Sequence, residues 1–136
     1  MQNKLFGVSS KNFLWTNHAR HKMNYYQLSE FRIRRVLNSP KRIEKGIALN
    51  TIAVMQPSSI KHFKTDKIKN SNDLKSEKWS QEIWVMFQDL KDKRIIISAW
   101  RFPGMSKPRD IVSMAKIREE YNSFIKSNNL DKLRDN

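Results

Sequence analysis

The chain contains no cysteine, which rules out a disulfide frame and any thiolate metal site. It has only three glycines in 136 residues and no Gly-rich loop of the kind that cradles a nucleotide's phosphates. Its three histidines, His18, His21 and His62, lack the carboxylate-rich setting of a metal centre. Neither a metal nor another cofactor is expected. Apolar residues are scarce too, at 38%, so part of the length is expected to lie outside the core. No run approaches transmembrane length, and the opening MQNKLFGVSSKNFLW lacks the apolar stretch of a secretory signal. The expectation is one cytoplasmic domain without a membrane partner. The last shortage is acidic: 13 Asp and Glu stand against 27 Lys and Arg, a net charge of +14. Such a field favours a polyanion. A sustained basic amphipathic helix, the mark of a membrane-surface binder, is missing, so nucleic acid is the expected partner.

The densest apolar content lies at residues 81–104, QEIWVMFQDLKDKRIIISAWRFPG. Apolar runs at 83–87 and 95–100 flank a polar turn at 88–94, the pattern of a β-hairpin. Pairing Phe87 with Ile95 sets Val85 opposite Ile97 and Ile83 opposite Ala99 on one face. The other face then holds Trp84, Met86, Ile96, Trp100 and Phe102, mixed with Glu82 and Ser98. Alternation this weak marks strands covered on both sides, hence central ones. Arg101 ends the second strand, where a sheet can present a cation to a ligand.

Residues 1–14 read as a loosely held leader, with Leu5, Phe6 and Phe13 able to dock as a short strand. Thr16 or Asn17 can cap a helix reading HARHKMNYY. Ala19, Met23 and Tyr26 form its buried stripe, and His18, Lys22 and Tyr25 a neighbouring one. Ser29 caps a second helix, with Leu28 and Ile33 as a hydrophobic staple and Ile33, Val36 and Leu37 buried. Asn38-Ser39-Pro40 stops it. Residues 42–47 and 49–56 read as two strands turning near Gly46 or Asn50. Residues 57–80 interrupt the pattern with Lys61, Lys64, Lys67, Lys69, Lys75 and Lys78, anchored only by Ile60, Phe63, Ile68 and Leu74. This reads as a mobile basic insertion, a spacer or a sequence-independent phosphate contact. Asp110 caps a terminal helix on which Met114, Ile117, Tyr121, Phe124 and Ile125 keep helical spacing, and Asn128-Asn129 end it. The fold expected is α+β: two N-terminal helices packed on a four-stranded antiparallel sheet, plus a C-terminal helix. The domain spans 15–110, with the helix and tail at 111–136.

The strings WTNHARHKM, LSEFRIRRVLNSP and IIISAWRFPG resemble a family of small bacterial and phage-type domains. Its marks are a helix-initial H-A-x-x-K/R-M motif, a second helix ending before proline, and paired strands. That family is grouped with the barnase–EndoU–colicin–RelE superfamily of toxin nucleases. The resemblance covers residues 15–56 and 81–104 and leaves the insertion and the C-terminal helix outside it. It implies a helix pair on a four-stranded antiparallel sheet, an RNA-cleaving activity, an antitoxin as a candidate partner, and His18 as an active-site residue.

Metal-independent RNA cleavage needs a base for the 2′-hydroxyl proton, an acid for the leaving 5′-oxygen, and cations for the phosphorane. His18, Arg101, Lys22 and Tyr25 are the candidates for these roles. Arg20, His21, Arg32, Arg34, Arg35 and Trp100 are candidates for nucleic-acid contact, the ribosome included. Trp84 reads as core, while Trp100 is left between core and a base-stacking platform. Glu82, the one carboxylate of the central strands, reads as a partner for an Arg or Lys across the sheet. A non-catalytic RNA- or ribosome-binding module, or an inactive toxin-like partner, is the alternative.

Overall fold

The computed structural model describes residues 12–64 and 75–134. Leu5 and Phe6 of the leader, and Lys67, Ile68, Lys69 and Leu74 of the insertion, lie outside the described residues. The fold is α+β. Its elements run β1 (Asn12–Trp15), α1 (Asn17–Tyr26), α2 (Glu30–Asn38), β2 (Arg42–Lys45), β3 (Thr51–Pro57), β4 (Lys61–Lys64), β5 (Lys75–Lys78), β6 (Gln81–Asp89), β7 (Lys93–Pro103) and α3 (Ile111–Arg134).

The main sheet is mixed and five-stranded, in the order β1-β7-β6-β3-β2, while β4 and β5 pair with each other. This corrects the expected four-stranded antiparallel sheet. The leader's Phe13 and Leu14 belong to β1, a parallel edge strand on Arg94 and Ile95 of β7. Parallel pairing with a distant strand leaves no local turn signal to read. Helix order differs as well: β1 precedes α1 and α2, and α3 covers the opposite face. The central strands are buried on both sides, as their weak alternation implies. On one face Ala19, Met23, Ile33, Val36 and Leu37 pack over Val54, Ile83, Val85, Phe87 and Ile96. On the other Ile117, Met114, Tyr121 and Phe124 pack over Ala53, Met55, Trp84, Met86, Ile97 and Trp100.

The hairpin register also departs from expectation. Val85 faces Ala99 and Ile83 faces Arg101, while across a bulge at Met86/Phe87 the partner of Phe87 is Ile96. Ile97 is the extra residue, so the face assignments of Ile95–Ile97 swap. The bulge also leaves Ile97 and Ser98 both on the α3 side, in packing and in hydrogen bonding respectively.

Local chemistry sets the helix ends. Thr16 Oγ1 accepts from Ala19 N at 3.0 Å, Ser29 Oγ from Arg32 N at 3.0 Å, and Asp110 Oδ1 from Ser113 N at 2.6 Å. Gln27, at φ 56, closes α1 in the left-handed region. α3 continues through Asn128 and Asn129 to Arg134, because asparagine is only a weak helix former and not a breaker. In the β2–β3 turn a Cβ on Gly46 would lie 2.1 Å from Thr51 Oγ1, which explains glycine there. The insertion is corrected at its described ends: Lys61–Lys64 and Lys75–Lys78 form an antiparallel ribbon.

Candidate functional site

The position of α1 follows from the short reach of β1. Because β1 pairs only as far as Ile96, the rest of β7 has no strand on that side, and α1 takes the place. Thr16 Oγ1 donates to Ile96 O at 2.9 Å at one end. Arg101 Nε donates to Tyr26 O at 2.8 Å at the other. Ten helical residues rise about 15 Å and the strand from Ile97 to Arg101 about 13 Å, so helix and strand run side by side. The flank of α1 carrying His18 and Lys22 then meets α3.

There Glu120 projects from α3 with 2% exposure. Its carboxylate accepts from Lys22 Nζ at 2.9 Å and from Ser98 Oγ at 2.7 Å. Lys116 Nζ, one turn back on α3, lies 3.1 Å away. His18 Nε2 faces Oε1 of the same carboxylate at 3.7 Å, longer than a hydrogen bond. That buried nitrogen has no hydrogen-bond partner among the described residues. Burial pushes the Glu120 carboxyl up, but the nearby His18 imidazole, the hydrogen bonds from Lys22 and Ser98 and the charge of Lys22 prevail and hold it at about 2. Burial likewise works to lower Lys116, and its bond to Glu120 wins, leaving its pKa raised. The cluster therefore holds one carboxylate and two ammonium groups, a net positive charge beside an imidazole.

His18 also lines a cleft of about 420 Å³ at the start of α1, shared with Trp15, Thr16, Asn17, Phe124 and Ser127. The ring is 10% exposed, with Phe124 centred 6.2 Å away. Lys22 and Lys116 do not line this cleft, so what it offers a phosphate is the imidazole and the first turn of α1, with the lysine charges behind them.

Of the four residues expected to act together, the fold brings His18 and Lys22 to one cluster. Tyr25 is 75% exposed and packs edge-on against Tyr26, with ring centroids 4.8 Å apart, so it stands outside. Arg101 is at the far end of α1, about 12 Å along the axis from His18, where Nη1 and Nη2 bond Gln81 Oε1 and Gln27 O at 3.0 and 3.4 Å. Sequence reasoning missed Glu120, Lys116 and Ser98. The available signal was a glutamate inside an apolar stripe, three residues after Ile117 and four before Phe124.

The remaining candidates are spread over the surface. Arg20 pairs with Glu30 at 3.2 Å, and Arg34 lies over Phe13 at 4.6 Å. His21 and Arg35 are exposed and Arg32 half-buried. Trp100 is corrected to core: 1% exposed, it stacks on Trp84 at 5.9 Å beneath α3. Glu82 meets no Arg or Lys among the described residues. Its carboxylate accepts from Trp79 Nε1 at 2.8 Å, Trp84 Nε1 at 3.0 Å, and Ser106 N and Oγ both at 2.7 Å, fixing the exit from β7.

No helix among the described residues is long and apolar enough to cross a membrane. Among the described residues no group of three or more His, Cys, Asp or Glu could hold a metal ion. No protein-family model, curated protein or solved structure matches the chain. The likeness to toxin nucleases rests on its sequence strings.

Proposed function

We propose that this chain is a cytoplasmic RNA-binding protein that cleaves RNA without a metal ion, with His18 as its proton carrier. The observation that supports this most is the His18 ring held between the buried Glu120 carboxylate and an open cleft. A carboxylate ionised at any pH above about 2 draws the Nε2 proton toward itself and leaves Nδ1 as the basic nitrogen. Nδ1 takes the proton of a 2′-hydroxyl, the 2′-oxygen bonds to phosphorus, and the bond to the 5′-oxygen breaks. The leaving oxygen is protonated from solvent, and a 2′,3′-cyclic phosphate remains. Lys22 and Lys116, bonded to Glu120 behind the ring, favour the extra negative charge of the phosphorane through their field. Charge distribution supports the RNA partner: Glu44, Glu82 and Glu120 are buried against one buried cation, Arg94, so the exterior is more basic than the composition alone.

A second reading has its own support, because Lys22, Lys116 and Ser98 are already engaged by Glu120. Such a network can simply fasten α3 to α1 in a non-catalytic RNA- or ribosome-binding module or an inactive toxin-like partner. An antitoxin would meet exposed Ile111 and Val112 at the start of α3. Incubation of the purified protein with total RNA in EDTA separates the two. Discrete fragments ending in cyclic phosphate support cleavage; binding with no fragments supports the module.

A further inference from the structure

The β4–β5 ribbon is arranged at a cost to the free protein. Its register sets Lys61 against Lys78, and like charges directly opposite on paired strands repel. A two-stranded ribbon apart from the main sheet has little stability to spare. Its one carboxylate, Glu77, is engaged by Lys41 and, at 3.4 Å, by His62. Among the described residues no carboxylate pairs with Lys61 or Lys78.

The root of the ribbon is basic as well. β3 and β6 run out at Pro57 and Gln81, where Ser58 N donates to Gln81 O at 3.0 Å. Arg32 bonds Gln56 Oε1 and, at 3.3 Å, Pro57 O, while Arg101 bonds Gln81 Oε1 at 3.0 Å. These acceptors are neutral carbonyl oxygens, and neither arginine pairs with a carboxylate among the described residues. Burial first, then the charges of Arg35 and Arg101, lower the pKa of Arg32, the mark of cations crowded without a counter-ion.

We infer that this end of the sheet, the β4–β5 ribbon with Arg32, Arg35 and Arg101 at its root, docks the sugar–phosphate backbone of RNA at a surface separate from the His18 cleft. A phosphate placed between Lys61 and Lys78 removes their repulsion. Recognition of this kind is independent of sequence and strongly salt-dependent. It rests on the RNA reading above and adds where the backbone is held.

The test is binding of a 2′-O-methyl RNA, which cannot be cut at the 2′-position, by fluorescence anisotropy between about 50 and 200 mM salt. The combined Lys61→Gln and Lys78→Gln variant should bind with a salt slope shallower by about 1–2, with a Tm equal to or above wild type. Arg35→Gln, at an exposed position, should lose about 1 in slope and keeps the test open should the double variant not fold. Wild-type slope in both variants overturns the inference. So does a double variant that keeps its RNA affinity but loses retention on phosphatidylserine vesicles, which would assign the ribbon to lipid. Wild-type protein that binds no RNA at all sinks the RNA reading as a whole, a result distinct from failure of the ribbon alone.

Discussion

Glu120 on α3 accepts the Lys22 ammonium of α1 at 2.9 Å, although the two stand 98 residues apart in sequence. Through that contact the C-terminal helix, which lies outside the nuclease-like strings, supplies the buried anion next to His18.

The same carboxylate should set the acid stability. Its ordinary value is 4.5 and its folded value about 2. A group depressed on folding contributes stability that is fully present above pH 4.5 and lost as the pH falls toward 2. The contribution is on the order of 3 kcal/mol. Urea midpoints should therefore fall across that window. Glu120→Gln should lower stability at pH 7, by stranding Lys22 and Lys116, and should flatten the acid limb. An acid limb identical to wild type would count against this assignment.

Trp100 gives a sharp contrast between core and platform. Trp100→Ala should cost about 3–5 kcal/mol of stability. Trp100→Phe keeps most of the buried ring and should bind RNA like wild type. A well-folded Trp100→Phe protein with weakened RNA binding would restore the stacking reading.

Arg101 is tied by its fork to Tyr26 O, Gln27 O and Gln81 Oε1. Arg101→Lys keeps the charge and loses the fork. Stability should drop by about 1–2 kcal/mol while the salt slope of RNA binding holds. An unchanged Tm would show that the helix end does not depend on the guanidinium.

Gly46→Ala should destabilise by about 1–3 kcal/mol, because the added methyl meets Thr51 Oγ1 and, at 2.9 Å, the Thr51 carbonyl oxygen. Equilibrium unfolding checks this, and a neutral effect would mean that the turn opens without cost.

Features encoded by neighbours in sequence were legible. Thr16, Ser29 and Asp110 cap helices because a short side-chain oxygen needs only the next turn's N–H. His18 and Lys22 share a stripe because helical spacing is local. The continuous apolar runs of β6 and β7 disclosed central strands. What escaped depends on distant partners. β1 joins β7 across most of the chain, and the bulge at Ile97 shifts the hairpin register without any glycine to mark it. Arg101 and His18, both attractive as chemistry, are parted by the length of α1, which no motif spacing records. Glu120 sat in plain view on an apolar stripe, but its partners come from two other elements.

The most direct measurement is the single-turnover cleavage rate of His18→Gln against wild type, in EDTA, with RNA fully bound. Loss of a proton carrier should slow cleavage by about 10²–10⁴-fold while Kd stays at the wild-type value, since one neutral imidazole adds little to a field built by 27 cations. A His18→Gln protein that folds normally and cuts at the wild-type rate would contradict the account and leave His18 a structural residue.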